Sequence, residues 1–408
     1  MGLQSLLRGI GFCVFLMMAG FLPAQGEGFW LGGRKSVKIP VDIQHNIILI
    51  PVQINGSFEM NFILDTGVKT TILTEPLLTS FLALDSLSNI LVRGLGEGPP
   101  IEAKLARDVR ISLPGVAPIK LHMLVMPEGL ISYSSMFGRP VYGIIGYEIF
   151  GRFTVEINYQ QEYIRLHEPF TYKPRRRWGR LPITLKKAKP YVTASLLLPD
   201  GDTLREAWLM DTGASMAVSL LDEGLEPPDP SIPAFLGQGL NGNVYGRLAR
   251  SPSFQIGEYL LEDVITGYPD TSAIPVLPTD HGWYGNIGSE LISRFHVVFD
   301  YPRSQVFLKP NGRFRRPFSY NISGLEVLSA GHNFEKYIIS YVRPDSPADQ
   351  AGLKVNDEVL ALNGQSVDGL EIDEVYGSLV RRNGRSLQVK VKRNGEVIKT
   401  RFKLLTEL

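Results

Sequence analysis

The feature that most constrains the fold of this chain is an internal repeat. The segment YGIIGYEIFGRFTVEINYQQEYIRL, Tyr142–Leu166, matches YGNIGSELISRFHVVFDYPRSQVFL, Tyr284–Leu308, at ten of 25 aligned positions. In each half the segment is preceded by Asp-Thr-Gly after an apolar run, in ILDTGVKTT from Ile63 and in LMDTGASMA from Leu209. Motifs that recur in the same order predict two copies of one structural unit.

Each copy has the pattern of β structure. Apolar residues alternate or run in strand-length pieces, as in SFEMNFILD, FTVEINY and FHVVFDY, and glycine and proline are frequent. Short helices are predicted after the two x-Ile-Gly segments, at Tyr147–Phe150 and Ser289–Ser293. The chain is 44% hydrophobic with a net charge of +1, which fits globular domains and gives no reason to expect a nucleic-acid partner.

The N-terminus has the pattern of an export signal. Arg8 precedes the apolar run Gly9–Leu22, and AQG, at residues 24–26, offers small residues at a cleavage site. An uncleaved membrane anchor is the alternative, although the run is shorter than the roughly 20 residues that a span needs. We therefore expect an exported protein, periplasmic or secreted from a bacterial envelope, that loses its single cysteine, Cys13, with the signal.

The repeat also gives the predicted domain boundaries. After the signal peptide, residues 1–26, these are an N-terminal lobe at 27–172, a basic linker at 173–182, a C-terminal lobe at 183–312, and a linker with a small α+β domain at 313–408. The arginine-rich linker is expected to be solvated, and the alternative is a patch for anionic envelope components, with peripheral envelope association.

Asp65 and Asp211 are the predicted catalytic pair. Two carboxylates held a few ångströms apart cannot both ionise easily, so they share one proton. One carboxylate can then deprotonate water while the other donates to a carbonyl, which is acid and base catalysis without a metal or another cofactor. The motif threonines are expected to bond across to the opposite loop, and the glycines to admit backbone N–H groups. The predicted supporting residues within the two motifs are Thr66, Gly67, Thr212 and Gly213.

These residues carry a resemblance to a known family. The two halves resemble the retropepsin type of aspartic protease, duplicated in one chain, in the D-T-G motifs and in the later x-Ile-Gly segments Ile144–Gly146 and Asn286–Gly288. The resemblance implies a mainly β, bilobal, pseudo-twofold fold in which each x-Ile-Gly segment packs under a D-T-G loop. It adds Ser215, Gly146 and Gly288 to the predicted supporting residues. It also implies an endopeptidase activity and flap-like roles for the glycine-rich turns Arg93–Gly98 and Leu236–Gly242.

Three residues depart from the family pattern. Val68 and Lys69 replace the small or hydroxyl residues usual after the first glycine, and Asn286 replaces an apolar residue. The Lys69 cation either lowers the pKa of the pair or points outward. These departures keep a second hypothesis open, a catalytically silent, peptide-binding envelope scaffold.

Other catalytic chemistries lack their motifs. The six histidines are scattered without ligand spacing, so no metal site is predicted. The sequence has no G-x-S-x-G elbow and no phosphate-binding glycine loop. Two D-T-G motifs in one chain remove the need for a homodimer, but the choice between a monomer and a homo-oligomer stays open.

The last ninety residues have a different pattern. SPADQAGLKVNDEVLALNG, Ser346–Gly364, begins with a helix start and contains a helix end at Gly352, before a strand. An amphipathic helix is predicted at Glu371–Arg382, followed by a hairpin through Asn394-Gly395. This region resembles a bacterial PDZ domain of the kind attached to envelope proteases.

The PDZ resemblance implies a peptide-binding role. Its carboxylate-binding loop would be Gly324, Leu325, Glu326 and Val327. Backbone N–H groups in such a loop form a nest for the C-terminus of a polypeptide, which adds as a strand. The expected partners are therefore polypeptide substrates recruited through their C-termini, and the alternative is a module that only packs on the protease body.

Overall fold

The computed structural model describes residues 29–84, 87–96, 98–130, 133–222, 224–274, 284–380 and 383–408. The predicted signal peptide, residues 1–26 with Cys13, lies outside the described residues. No helix in these described ranges is long and apolar enough to cross a membrane.

The first half of the chain forms a sheet that closes on itself. Its strands are β1 (Ser36–Pro40), β2 (Asp42–Gln44), β3 (Ile47–Ile54), β4 (Met60–Leu64), β5 (Thr71–Leu73), β6 (Ser88–Val92), β7 (Ile101–Leu113), β8 (Val116–Val125), β9 (Gly143–Ile145), β10 (Thr154–Asn158) and β11 (Tyr163–His167). Eight of them pair in the order β2-β3-β4-β9-β5-β8-β7-β6, and β3 also pairs with β7. Buried and accessible residues alternate along much of β7, as the period of two predicts.

The second half forms a sheet with the same strand order. Its strands are β12 (Gly179–Pro182), β13 (Thr184–Lys186), β14 (Lys189–Leu197), β15 (Thr203–Met210), β16 (Val218–Leu220), β17 (Ser231–Gly239), β18 (Gly242–Ile256), β19 (Tyr259–Pro269), β20 (Gly285–Ile287), β21 (Phe295–Asp300) and β22 (Gln305–Pro310). The order is β13-β14-β15-β20-β16-β19-β18-β17, and β14 also pairs with β18. Strand by strand, this order repeats that of the first sheet.

A third sheet joins the two halves. Its order is β1-β11-β10-β21-β22-β12, so three strands of the first half continue directly into three strands of the second. β10 and β21 pair antiparallel from Val155 opposite Phe299 to Asn158 opposite His296. β12 lies in the segment predicted as a linker, and it pairs with β22. The lobes therefore share backbone hydrogen bonds and one continuous apolar core.

The C-terminal unit is a smaller sheet with two helices. Its strands are β23 (Leu325–Ala330), β24 (Lys336–Val342), β25 (Glu358–Leu362), β26 (Gln365–Ser366), β27 (Ser386–Arg393) and β28 (Glu396–Lys403). They pair in the order β23-β24-β25-β27-β28, and β26 pairs with β25. The predicted hairpin is confirmed, since Asn394 and Gly395 have φ of 50° and 88°, the positive values that a tight primed turn needs.

Short helices complete the described secondary structure. The α-helices are α1 (Tyr133–Phe137), α2 (Tyr147–Phe150), α3 (Ser289–Ile292), α4 (Pro347–Gln350) and α5 (Ile372–Leu379), and the 3₁₀ helices are Pro76–Leu78, Thr271–Ala273 and Tyr301–Arg303. The helices predicted after both x-Ile-Gly segments are present as α2 and α3. The predicted fold class, mainly β with two barrel-like lobes and a small α+β domain, is confirmed.

The C-terminal unit packs against the first lobe. The Ser329 hydroxyl of β23 donates to the Ser135 carbonyl of α1 at 2.8 Å. The His45 ring lies 4.9 Å from the Tyr376 ring of α5 in an edge-on arrangement, and its Nε2 lies 3.3 Å from an Asp373 carboxylate oxygen. β23 and α5 therefore both face the first lobe.

Candidate active site

The two Asp-Thr-Gly segments meet where the lobes join. Thr66 Oγ1 donates to the Met210 carbonyl at 2.6 Å and accepts from the Thr212 N–H at 3.0 Å. Thr212 Oγ1 does the reverse, donating to the Leu64 carbonyl at 2.8 Å and accepting from the Thr66 N–H at 3.0 Å. Both threonines are buried, so the exchange satisfies polar groups that water does not reach and fixes each loop to the other.

Each aspartate sits at the end of a strand and above an x-Ile-Gly segment. Asp65 follows β4, and its N–H donates to the Ile145 carbonyl at 2.9 Å. Asp211 follows β15, and its N–H donates to the Ile287 carbonyl at 2.8 Å. β9 and β20 pair in parallel with these strands. Backbone hydrogen bonds alone therefore fix the main-chain position of both aspartates.

The motif glycines bring the two carboxylates into one small space. The Gly67 N–H donates to Asp65 Oδ1 at 2.6 Å, and the Gly213 N–H donates to Asp211 Oδ1 at 3.1 Å. A Cβ at Gly213 would lie 2.4 Å from Asp65 Oδ2, and one at Gly67 would lie 3.1 Å from Asp211 Oδ1. Each glycine thus faces the aspartate of the opposite half.

The other predicted supporting residues differ in their contacts. A Cβ at Gly146 would lie 2.0 Å from the Asp65 carbonyl oxygen, and one at Gly288 would lie 2.1 Å from the Met216 carbonyl oxygen. Only glycine allows these close approaches. Ser215 is instead an exposed residue. The second loop is held by Ser289, whose hydroxyl donates to the Thr212 carbonyl at 2.8 Å.

The carboxylates interact directly. Burial raises the pKa of Asp65 well above its usual range, and the charge of Asp211 and a hydrogen bond between the two side chains raise it further. The Gly67 N–H and, more weakly, the Lys189 cation act in the opposite direction. Desolvation and a like charge are the two conditions that keep one proton on a carboxylate pair.

Three buried tyrosines lie near enough to the pair to interact with its charge. The pKa of Tyr133 in α1 is raised by burial and then by the charge of Asp65. The pKa of Tyr191 in β14 is raised to about 12 by burial and then by Asp211, and that of Tyr301 is raised by burial and both aspartates. These rings stay neutral at any pH where a carboxylate pair titrates, so they add no charge to its surroundings.

Lys69 does not enter the site. Its side chain is exposed, whereas Val68 is half-buried against the apolar cluster of the first lobe. Lys189 of β14 is the cation that acts on Asp65. Of the two alternatives for Lys69, the structure places it outward.

The two glycine-rich turns are hydrogen-bonded to each other. Asn241 of the second turn is buried, its Nδ2 donates to the Pro99 carbonyl at 2.6 Å, and its Oδ1 accepts from the Gly94 N–H at 2.6 Å. The Asn241 N–H also donates to the Leu95 carbonyl at 2.8 Å, and its carbonyl accepts from the Gly98 N–H at 2.8 Å. The two turns are therefore joined to each other in this structure.

The loop predicted to bind a peptide carboxylate already uses its main-chain donors. The Leu325 N–H donates to Ser323 Oγ at 3.2 Å, and the Val327 N–H donates to Tyr376 Oη at 3.3 Å. Gly324 has a φ of 81° and its carbonyl accepts from the Arg343 N–H. These internal partners leave the Leu325 and Val327 amides occupied in this conformation.

The Glu326 side chain contacts the same tyrosine beside this loop. Tyr376 Oη donates to the Glu326 carboxylate at 2.8 Å and lies 3.1 Å from the Val327 carbonyl oxygen, the alternative acceptor of the same proton. Burial raises the pKa of Glu326 to about 7, against hydrogen bonds from Tyr376 and Asn321 that lower it. A peptide strand that pairs with Val327 must first displace the Tyr376 hydroxyl.

Sequence reasoning missed Lys189 and Tyr133, which interact electrostatically with Asp65 from a neighbouring strand and a short helix. It also missed Asn241, which joins the two glycine-rich turns. Asn241 stands in one of these turns, which is a local signal that could have marked it. The positions of Lys189 and Tyr133 depend on tertiary packing, and their own segments carry no such signal.

Comparisons with known proteins agree with part of this architecture. A model of the aspartyl protease family matches residues 50–149, the stretch that contains Asp65 and Gly146. Residues 50–149 are an aspartyl protease-like domain. A model of the PDZ domain matches residues 338–393, so the PDZ domain predicted for the C-terminal unit is confirmed.

Similar curated proteins share only short stretches. The carboxy-terminal processing protease CtpB of Bacillus subtilis (strain 168) is 32% identical over 84 residues, 20% of this chain and 18% of its own. The chloroplastic carboxyl-terminal-processing peptidase 1 of Arabidopsis thaliana is 37% identical over 91 residues, 21% of this chain and 18% of its own. The chain thus spans about a fifth of the length of these relatives.

A solved structure gives a match of similar extent. It is a photosystem II D1 C-terminal processing protease, 21% identical, which covers 20% of this chain and 22% of its own, with a TM-score of 0.19. The matches to curated relatives are too short to contain both Asp-Thr-Gly motifs, whose threonines are 146 residues apart. These matches therefore do not bear on the chemistry of the carboxylate pair.

Proposed function

We propose that this protein is an aspartic endopeptidase in which Asp65 and Asp211 activate water to hydrolyse peptide bonds. The observation that carries the proposal is the reciprocal Thr66–Thr212 exchange, which holds one carboxylate from each half in a common buried space. The aspartyl protease-like match supports this reading for the first half. The identical strand order supports extending it to the second half, as a duplicated, retropepsin-like chain.

The proposed chemistry needs only this carboxylate pair and a water molecule. A carboxylate in the ionised state takes a proton from water as the water oxygen attacks the peptide carbonyl carbon. The protonated partner gives its proton to the carbonyl oxygen and so neutralises the developing charge. The buried, uncharged tyrosines near the pair keep the local polarity low, which strengthens both interactions.

The direct test is cleavage of an unfolded, fluorescently labelled protein by the full chain from acid to neutral pH. Asp65→Asn and Asp211→Asn should each abolish cleavage while leaving the fold intact. Asp108→Asn is a matched control, because Asp108 is exposed and its φ of 54° suits asparagine. Cleavage that survives either active-site substitution would refute the mechanism. A folded wild-type chain that never cleaves would instead favour the silent scaffold.

We further propose that the PDZ domain recruits polypeptides through their C-termini. Its match to the PDZ family supports this. Because the Tyr376 hydroxyl contacts the Val327 main chain, a peptide strand that pairs with Val327 has to displace that hydroxyl. Tyr376→Phe removes the hydroxyl and keeps the ring, so a peptide with a free C-terminus should bind the full chain more tightly. Fluorescence anisotropy with free and C-terminally amidated peptides measures this. Equal binding of the two peptides would contradict recruitment by the carboxylate.

Export from the cytoplasm also belongs to the proposal. The apolar segment after Arg8 and the small residues at 24–26 support cleavage there. N-terminal sequencing of the protein from the producing cell is the test. A chain that still begins at Met1 in the cell interior would contradict it.

We propose a single chain as the catalytic unit, since it carries both motifs, and sedimentation at the assay concentration checks this.

A further inference from the structure

The two halves differ at the residue before each Ile-Gly. Ile144 pairs with Ile63 in the first lobe, and Asn286 pairs with Leu209 at the equivalent register in the second. Ile144 belongs to an apolar cluster. Asn286 Nδ2 instead donates to Asp211 Oδ2 at 2.9 Å. One aspartate of the pair therefore has an amide donor that the pseudo-twofold axis does not repeat.

The buried Asn286 amide makes one side-chain hydrogen bond among the described residues, the bond to Asp211. The residue is only 5% exposed, and its Oδ1 has no hydrogen-bond partner among the described residues. A buried amide oxygen without a partner costs stability, so its retention needs a compensating interaction. The bond from Nδ2 to Asp211 orients the side chain and supplies that interaction.

The donors around the two carboxylates are unequal. Asp211 accepts from the Gly213 N–H on Oδ1 and from Asn286 on Oδ2, so both of its oxygens have a donor. Asp65 accepts from the Gly67 N–H on Oδ1, and its side chain hydrogen-bonds to Asp211. A bond between two carboxyl groups requires one proton between them. Donors favour the charged form, so that proton belongs on the carboxyl group with fewer donors.

We propose that Asn286 is a positioning residue that holds Asp211 as the ionised general base and places the shared proton on Asp65, the general acid. This inference rests on the proposed function. Water then loses a proton to Asp211 as its oxygen bonds to the peptide carbon, and Asp65 gives its proton to the carbonyl oxygen. When the carbon–nitrogen bond breaks, Asp211 returns its proton to the leaving nitrogen and Asp65 recovers one from the diol.

The tyrosines near the pair do not change their protonation state over the acid range. Tyr133, Tyr191 and Tyr301 have raised pKa values and stay neutral. Below neutral pH the pair itself is therefore what titrates among these neighbours. The raised pKa of Asp65 agrees with the donor geometry.

The test follows the two carboxyl groups by carbon NMR in the full chain labelled at the aspartate carboxyl carbon. Asp65→Asn and Asp211→Asn assign the two signals. In the wild type, Asp211 should titrate at lower pH than Asp65. Asn286→Leu removes the donor at similar size and should raise the lower apparent pKa by about one unit or more. The acidic limb of kcat/KM should move by the same amount, and Ile144→Leu, the matched control in the other half, should move neither.

The outcomes separate this inference from the proposed function. A reversed titration order in the wild type, or a change below about 0.3 unit in the variant, overturns the role of Asn286. Asn286→Ser is the second variant if the leucine variant does not fold, and its hydroxyl is too short to replace the amide. The predicted titrations in a chain without cleavage would reject the peptidase and keep the charge assignment.

Discussion

Replacing Thr212 by valine removes a hydroxyl that joins the two lobes and keeps the branched shape of the side chain. The Leu64 carbonyl loses its donor and the Thr66 N–H loses its acceptor, both in a buried place. Each buried polar group left without a partner costs about 1–3 kcal/mol. The free energy of unfolding should therefore fall by about 2–6 kcal/mol.

Guanidinium unfolding followed by tryptophan fluorescence measures this loss. All four tryptophans precede the C-terminal unit, and Trp208 is fully buried beside the site, so the signal reports on the lobes. Thr212→Ser is the control, because it keeps the hydroxyl and removes one methyl group, at a cost of about 1 kcal/mol. Equal losses in the two variants would refute the idea that the hydroxyl exchange stabilises the junction.

Three further predictions concern neighbouring features. Gly213→Ala places a methyl group 2.4 Å from Asp65 Oδ2, so peptidase activity should fall by about 10²-fold, and an unchanged kcat/KM would contradict the shared space. Asn241→Ala removes the acceptor of the Gly94 N–H, so hydrogen exchange there should rise by about tenfold, and unchanged exchange would argue against the link between the two turns. Glu326 has its pKa raised from 4.5 to about 7, so the stability it contributes is complete below pH 4.5 and is lost as pH rises towards 7. In Glu326→Gln, the melting temperature followed by near-ultraviolet circular dichroism should fall less between pH 4.5 and 7. An unchanged fall would mean that another group causes the loss of stability.

The local parts of the fold could be predicted from the sequence. Strand periodicity and the repeat gave the two β lobes, and the residues after each x-Ile-Gly gave α2 and α3. The Asn394-Gly395 turn was predictable because its positive φ values suit these two residue types. These features depend on short stretches of chain and on their own residues.

Features that depend on packing between distant segments were not predictable. The joining of three strands from each half into one sheet, and the strand β12 within the expected linker, follow from how the lobes dock. Lys189 and Tyr133 acquire their roles because the fold brings them to Asp65. Asn286 was marked only as a departure from a pattern, because its bond to Asp211 exists only after β20 pairs with β15.

The sheet shared by the lobes also sets the order of events during synthesis. The two threonines of the exchange are 146 residues apart in the chain. At typical rates of about 5–20 residues per second, the second follows the first by on the order of ten seconds. During that interval Asp65 is a lone carboxylate, and β10 has no β21 to pair with. The nascent chain therefore emerges without a working centre, and only a completed second lobe can assemble one.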